Sequence, residues 1–289
     1  MRKVTLSIIR AVRKVFYNTP IHRLTLTTLL YERLFHLAYP PGEIVRVAYE
    51  NCIFDVPTLD ITILPSLLNG CYEACEFALL SRRLGPGMTF VDVGANIGLY
   101  TVAAAKLVGA TGRVYAFEPE PGNYALLQHN LELNEARNVV TEKMAVGCAA
   151  TERNLNISRN SIGTHSLLRR PQSSVAADRE AIQVQVITLD EYFADVPGRV
   201  DTLKVDVEGY EPFVLKGAAR LLARVELILF EYSRSDVQAH FGIVNLIRLL
   251  DRFPYLYGIN ERTGRIEALA PAAFQRTKYM NVAAARVAL

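Results

Sequence analysis

The sequence predicts an α/β fold, a Rossmann-like doubly wound sheet of mostly parallel strands, and three observations carry that prediction. From Met88 onward, short apolar runs alternate with helical patterns, as they do in a sheet covered on both faces. The stretch FVDVGANIGLYT, residues 90–101, passes from an apolar strand through small residues into a helix, the form of a first strand at a ligand crevice. With 289 residues and 51% hydrophobic composition, the chain is long enough for one large domain with appendages.

Taken in order, residues 1–39 form a basic helical arm. Seven Lys and Arg residues stand there against Glu32 alone, and Val4, Ile8, Val12, Val15 and Phe16 recur at roughly helical spacing. Pro20 separates this helix from a second one near residues 24–38. Such a face either packs on the protein's own core or lies on an anionic membrane surface, which makes residues 1–19 the candidate peripheral membrane contact. Residues 40–87 make an N-terminal subdomain, with short strands around Asp55, Pro57 and Asp60 and an apolar helix near residues 70–83 that stops before Gly85, Pro86 and Gly87.

Residues 88–289 form the main domain. Its strands are MTFVDV, RVYAFE, NVVTEKMAV, VDTLKVD and VELILFEYS. Its helices run through Tyr100 to Val108, Tyr124 to Leu133, Phe213 to Leu222 and Val237 to Leu250, and two further strands are expected around Tyr255 and Met280. Residues 148–187 interrupt the alternation as an insertion that contains the polar segment RRPQSSVAADRE.

Composition narrows the function. The net charge of +3 is carried by the basic arm, so the rest of the chain is net negative, and no nucleic-acid partner is expected. Four cysteines are too few for a disulfide scaffold, and the five histidines and four cysteines lack metal-ligand spacing, so no metal is assigned. There is no run of about 18 apolar residues and no small-residue cleavage site. A cytoplasmic location is expected, membrane-peripheral if the arm lies on lipid.

The turn in FVDVGANIG identifies its ligand class by spacing. A dinucleotide fingerprint needs glycine at the first, third and sixth positions, but counting from Gly94 gives Gly94, Asn96 and Leu99. The order Asp92, Gly94, Asn96, Gly98 instead resembles motif I of class I S-adenosylmethionine-dependent methyltransferases. That ligand offers an ammonium and a sulfonium to an acidic side chain and a carboxylate to a helix N-terminus. Asp92 at a strand end also suits a helix cap. The second strand ends in Glu118, 24 residues past Gly94, where a carboxylate accepts hydrogen bonds from ribose hydroxyls; a solvated strand-end carboxylate is the plainer reading.

Longer signatures are shared with one family. LLNGCYEACEFALL, PGMTFVDVGANIGLYTVAAA, VYAFEPEPGNYALLQHNLELN, MAVG, VITLDEYF and TLKVDVEGYEPFVLKGA together resemble the FkbM-type methyltransferases over residues 45 to 233 or so. The resemblance implies the class I methyltransferase fold with a terminal antiparallel strand, S-adenosyl-L-methionine as cofactor, and a hydroxyl on a sugar, glycolipid, polysaccharide or natural product as acceptor. It implies cofactor contacts at Asp92, Gly94, Ala95, Asn96, Gly98, Glu118 and Pro119, and at Met144 and Ala145 after the third strand.

A sugar hydroxyl has a pKa far above neutrality, so its proton needs a base or a metal during transfer. Candidates at strand ends are Asp206, Glu208 and Lys204, joined by His165 in the segment RNSIGTHSLLRR. Each has a plainer reading: Lys204 with Asp206 as a buried ion pair, Glu208 and Glu211 as partners of a helix dipole, His165 as a structural histidine. Two alternatives stay open, a metal-assisted O-methyltransferase with an ion shared by Asp206 and Glu231, and a membrane-peripheral binding module that keeps the cofactor fold without turnover.

Overall fold

The computed structural model describes residues 33, 35–60, 62–158, 161–168, 180–261 and 263–289. Most of the expected basic arm, with its candidate membrane contact at residues 1–19, lies outside the described residues, and so does most of RRPQSSVAADRE.

After a helical stretch at residues 35–38, the described chain forms a hairpin, β1 (Ile44–Tyr49) and β2 (Cys52–Pro57), followed by two helices, α1 (Ile63–Leu68) and α2 (Ala74–Arg83). The main sheet then starts with β3 (Thr89–Val93) and continues through α3 (Leu99–Val108), β4 (Arg113–Phe117), α4 (Pro121–Leu133) and β5 (Val139–Glu142). Next come β6 (Ala145–Val146), β7 (Thr151–Ile157), β8 (Glu180–Ile187), α5 (Leu189–Tyr192), β9 (Val200–Val205) and α6 (Glu211–Lys216). The last part holds β10 (Val225–Ser233), α7 (Arg234–His240), α8 (Ile243–Leu250), β11 (Tyr255–Asn260), β12 (Arg265–Ala268), α9 (Ala273–Arg276) and β13 (Tyr279–Ala285).

Eight strands form one sheet in the order β12-β11-β13-β10-β9-β3-β4-β5. β10, β9, β3, β4 and β5 run parallel, and β13 runs antiparallel beside β10. This is the Rossmann-like class I methyltransferase fold. The chain winds outward from β3 toward β4 and β5, then returns to place β9 on the other side of β3. The carboxyl ends of β3 and β9 therefore flank the crevice where the winding reverses. Alternate residues of β3 feed opposite layers: Phe90 packs with Val102, Val114 and Leu127, while Val91 and Val93 pack with Leu203, Val205 and Phe117.

The structure departs from the expected elements in several places. No strand forms around Asp60: β2 ends at Pro57 and the chain turns into α1 at Ile63. NVVTEKMAV does not form one strand: β5 ends at Glu142, and β6 leaves for a separate three-stranded sheet of order β6-β8-β7. Within the insertion, β7 pairs antiparallel with β8. The helix expected through Phe213 to Leu222 stops at Lys216, where Gly217 lies so close to the backbone of Gly147 that a Cβ would sit 1.9 Å from its carbonyl oxygen. The helix expected through Val237 to Leu250 breaks at Gly242, whose φ is 93°.

The N-terminal hairpin is docked by side-chain amides. Asn130 on α4 and Asn134 at its C-cap, one turn apart, each bond the edge of β2: Asn134 Oδ1 accepts from the Ile53 N–H at 2.9 Å and Asn130 Oδ1 from the Asp55 N–H at 2.8 Å. One helical turn and two strand residues span nearly the same length, so the two periods match. Asp55 receives both Arg46 and His129 on its carboxylate, and the Arg46 contact holds it down to about 2.

Candidate active site

A cavity of about 510 Å³ opens at the carboxyl ends of β3, β4 and β9. Asp92, Gly94, Ala95, Asn96, Glu118, Pro119, Met144 and Ala145 line it, as do Lys204, Asp206, Glu208 and His165. Gly98 stands apart from this set. It lies behind the wall, where a Cβ would come within 2.6 Å of Leu127, so its φ of 90° serves the packing of α3 on α4.

Gly94 also needs a reading different from the one its motif suggests. With φ at 84°, a Cβ there would meet the backbone oxygen of Asp206 at 1.8 Å. What approaches this glycine is the chain's own β9 end, fastened by the Asp206 N–H to Val93 O at 2.9 Å. The glycine lets the motif turn and the end of β9 pack directly against each other.

The residues present fit the cofactor. Asp92 is 1% exposed; its Oδ2 accepts from Thr101 Oγ1 at 2.6 Å, and its Oδ1 has no partner among the described residues. Burial raises its pKa, and the nearby Lys204 opposes that rise. Asn96 Oδ1 is likewise without a partner. Buried polar atoms left unpaired in a cavity wall suit a ligand that brings donors and positive charge. Glu118 holds the turn from below: its Oε2 accepts from the Asn96 N–H at 2.8 Å and its Oε1 from the Glu120 N–H at 2.9 Å. Each oxygen keeps a lone pair for a hydroxyl. Burial pushes Glu118 up to about 7 despite those two bonds, so hydroxyl donors would favour its ionised form.

The floor carries the candidate catalytic groups. Lys204 is buried, with Nζ 2.9 Å from Asp206 Oδ2 and 4.3 Å from the centre of the Tyr100 ring. Burial alone would lower its pKa, but Asp206, Glu73, Asp92 and Glu76 surround it and raise the pKa well above the usual lysine value. It is a fixed cation, an ion pair with Asp206 that faces the cavity. Asp206, Glu208 and Glu231 bring one carboxylate oxygen each within 4.8 Å of one another. Burial, followed by Asp206 and Glu208, pushes Glu231 up to about 10, and Tyr279 donates to it.

His165 lines the cavity, but its chemistry differs from that of the base expected there. The Ser158 N–H donates to Nδ1 at 3.0 Å, which occupies that lone pair and leaves Nε2 carrying the hydrogen. In this tautomer the other ring nitrogen is a donor. Glu211 is a turn residue: its Oε1 accepts from the Val207 and Gly209 N–H groups, each at 3.0 Å.

Sequence reasoning missed the roof. Asp60 is fully buried; Oδ1 accepts from the Thr62 and Ile63 N–H groups at 2.8 and 2.6 Å, and Oδ2 from Ser161 Oγ and the Ile162 N–H, both at 3.0 Å. Asn123 Nδ2 donates to Ile162 O at 2.8 Å from the other side. It also missed Glu73, which lines the cavity and whose signal, the YE of LLNGCYEACEFALL, carries no role by itself. Three non-glycine residues of the wall, Glu73, Asn96 and Glu208, adopt positive φ of 40°, 51° and 56°. Strain of this kind concentrates at functional sites.

A family model for the methyltransferase FkbM domain matches residues 92–257, more than half of the chain. The chain belongs to the FkbM methyltransferase family. Its cofactor is S-adenosylmethionine. Among curated proteins, this FkbM methyltransferase is 28% identical to Methyltransferase 1 of Beauveria bassiana, over 52% of its own length and 63% of the relative's. It is 32% identical to Methyltransferase sdnD of Sordaria araneosa, over 44% and 59%. It is 28% identical to Hexuronic acid methyltransferase AglP of Haloferax volcanii, over 48% and 54%. The match thus spans less than two thirds of the length of each of these relatives. Among solved structures, that of M. jannaschii TYW2 in complex with AdoMet is similar at a TM-score of 0.42 and 16% identity, with 85% of each chain covered.

Proposed function

We propose that this methyltransferase transfers its methyl group to a hydroxyl of a carbohydrate or another polyhydroxylated acceptor. The observation that carries the reading is the floor of the cavity, where Asp206 and Glu208 stand beside a buried lysine at the strand ends. Carboxylates accept hydrogen bonds from several hydroxyls at once, and Asp206, held in place by Lys204, meets the reacting one. The Haloferax volcanii relative, named for a hexuronic acid, supports the sugar class. The acidic floor favours a neutral hydroxyl region of such an acceptor over an anionic one.

Methyl-labelled cofactor incubated with fractionated glycolipids, polysaccharides and soluble sugar fragments tests the class, with the product bond located by NMR. Label on oxygen is expected; label on nitrogen or carbon would sink the reading. Asp206→Asn is expected to lower kcat about a hundredfold while cofactor affinity stays within a few fold, and near wild-type turnover removes Asp206 from the site. The third carboxylate, Glu208, gives the metal-assisted reading a specific observation. Activity lost to chelator and restored by Mg²⁺ would favour it.

A further inference from the structure

We propose that Glu73, contributed by the N-terminal subdomain, accepts the proton released by the acceptor, with Tyr100 and Glu76 behind it as a shared proton store. The proposal rests on the hydroxyl-acceptor reading above. Glu73 is free of the duty its position would give it. It occupies the N-cap position of α2, where a carboxylate ordinarily accepts from the helix's own N–H groups, yet it makes no such bond. Glu261 does that work from the turn after β11: Oε2 accepts from the Cys75 N–H at 3.0 Å and Oε1 from the Glu76 N–H at 3.1 Å. Relieved of capping and held in the left-handed region, Glu73 lines the cavity beside Asp206 and Lys204.

The proton inventory gives Glu73 its role. Tyr100 Oη lies 2.6 Å from Glu73 Oε2 and 2.9 Å from Glu76 Oε2. A phenol has one hydrogen, so it satisfies one of these contacts. The second becomes a hydrogen bond only when a carboxyl brings a proton of its own. The triad is therefore complete with one proton more than its ionised form holds, and the stacking of Tyr100 on Phe77 at 4.3 Å fixes its geometry.

The groups facing Glu73 set when it is filled. Glu76 on α2 and Asp206 after β9 raise its pKa, Lys204 on β9 and the Tyr100 hydroxyl on α3 lower it, and burial, the largest influence, pushes it up to about 8. A base near neutrality both accepts and returns a proton. Glu231, at about 10, keeps its proton. Asp206 is already engaged by Lys204 Nζ at 2.9 Å. In the transfer, the acceptor oxygen gains the methyl group, the electron pair of the broken carbon–sulfur bond stays on sulfur, and the hydroxyl proton passes to Glu73. The sulfonium charge and the Glu73 charge vanish together, so the cavity's net charge does not change.

The test needs no acceptor. Titration calorimetry of the full chain with S-adenosylmethionine, in buffers of different ionisation enthalpy, counts the protons released on binding. A cationic ligand lowers the pKa of Glu73, so near pH 7.5 the wild type is expected to release about half a proton more than E73Q. The comparison subtracts any release from Glu118, which both proteins share. Equal counts in wild type and folded E73Q overturn the proposal. Tyr100→Phe gives a second arm: with no phenol donating to the ionised carboxylate, the pH of maximal release moves upward, and an unmoved maximum counts against the shared store. A missing acceptor hydroxyl in the labelling experiment would fail the functional reading while leaving these proton counts intact.

Discussion

At the scale of single residues, the cofactor side of the site turns on two contacts with different consequences. Glu118 holds the Asn96 turn and offers its remaining lone pairs to ribose. Glu118→Ala is expected to weaken S-adenosylmethionine binding by about 2 kcal/mol, roughly thirtyfold, as read by calorimetric titration. Gly94 behaves otherwise. A Cβ 1.8 Å from the Asp206 carbonyl oxygen attacks the fold itself, so Gly94→Ala is expected to cost at least about 3 kcal/mol in denaturant unfolding before any question of affinity arises. The spacing of Asp92, Gly94 and Asn96 was readable as a turn. That its glycine is reserved for the protein's own backbone was not, because the approaching strand lies 112 positions away. Carboxylates such as Glu118 and Asp206 were legible because apolar strands announce where they end, and a parallel sheet gathers those ends at one edge. Glu73 and Asp60 arrive from outside the sheet, where no periodicity points to them.

At the scale of elements, the hairpin of β1 and β2 is held by α4 as well as by its own ladder. Asn130 is fully buried, with Oδ1 on the Asp55 N–H and Nδ2 donating to Ile97 O at 2.8 Å. Asn130→Ala leaves both backbone groups unpaired and is expected to cost about 2 kcal/mol or more in urea unfolding. Strands with continuous apolar runs, such as VELILFEYS, were read as strands because burial on both faces leaves no polar interruption. NVVTEKMAV was read as one strand because apolar residues stand at both its ends, but the polar Thr141, Glu142 and Lys143 between them mark where β5 stops and the chain leaves the main sheet for β6. The break between α7 and α8 at Gly242 had a visible sign, which the strength of the surrounding apolar pattern outweighed.

At the scale of the whole molecule, the site is a store of protons that an unfolded chain would not keep. Burial raises Glu76 to about 6, Glu118 to about 7, Glu73 and Glu211 to about 8 and Glu231 to about 10. An ordinary glutamate loses its proton near 4.3, so between about pH 5 and 9 the folded state binds more protons than the unfolded one. Stability contributed by these groups is present below the unfolded pKa and lost as pH rises through the folded values. Asp55, held down to about 2, acts in the opposite sense, and its contribution is lost only in strong acid. The Tm of the ligand-free protein is therefore expected to peak in mild acid and fall steadily toward pH 9, as read by scanning fluorimetry. A Tm that rises across this window would contradict the burial of these carboxyls.

The clasp at Asp60 bears on how such a molecule changes its diet. One carboxylate fastens segments about a hundred positions apart, so the outline of the entrance is set by a residue that need never touch what enters. Ile162 and Thr164 line that entrance without their side chains joining the Asp60 clasp, so substitutions there change its surface while the clasp stays in place. Without Asp60 the two halves of the rim lose that link between them, and the Asn123 bond to Ile162 O still ties the second half to the body of the fold.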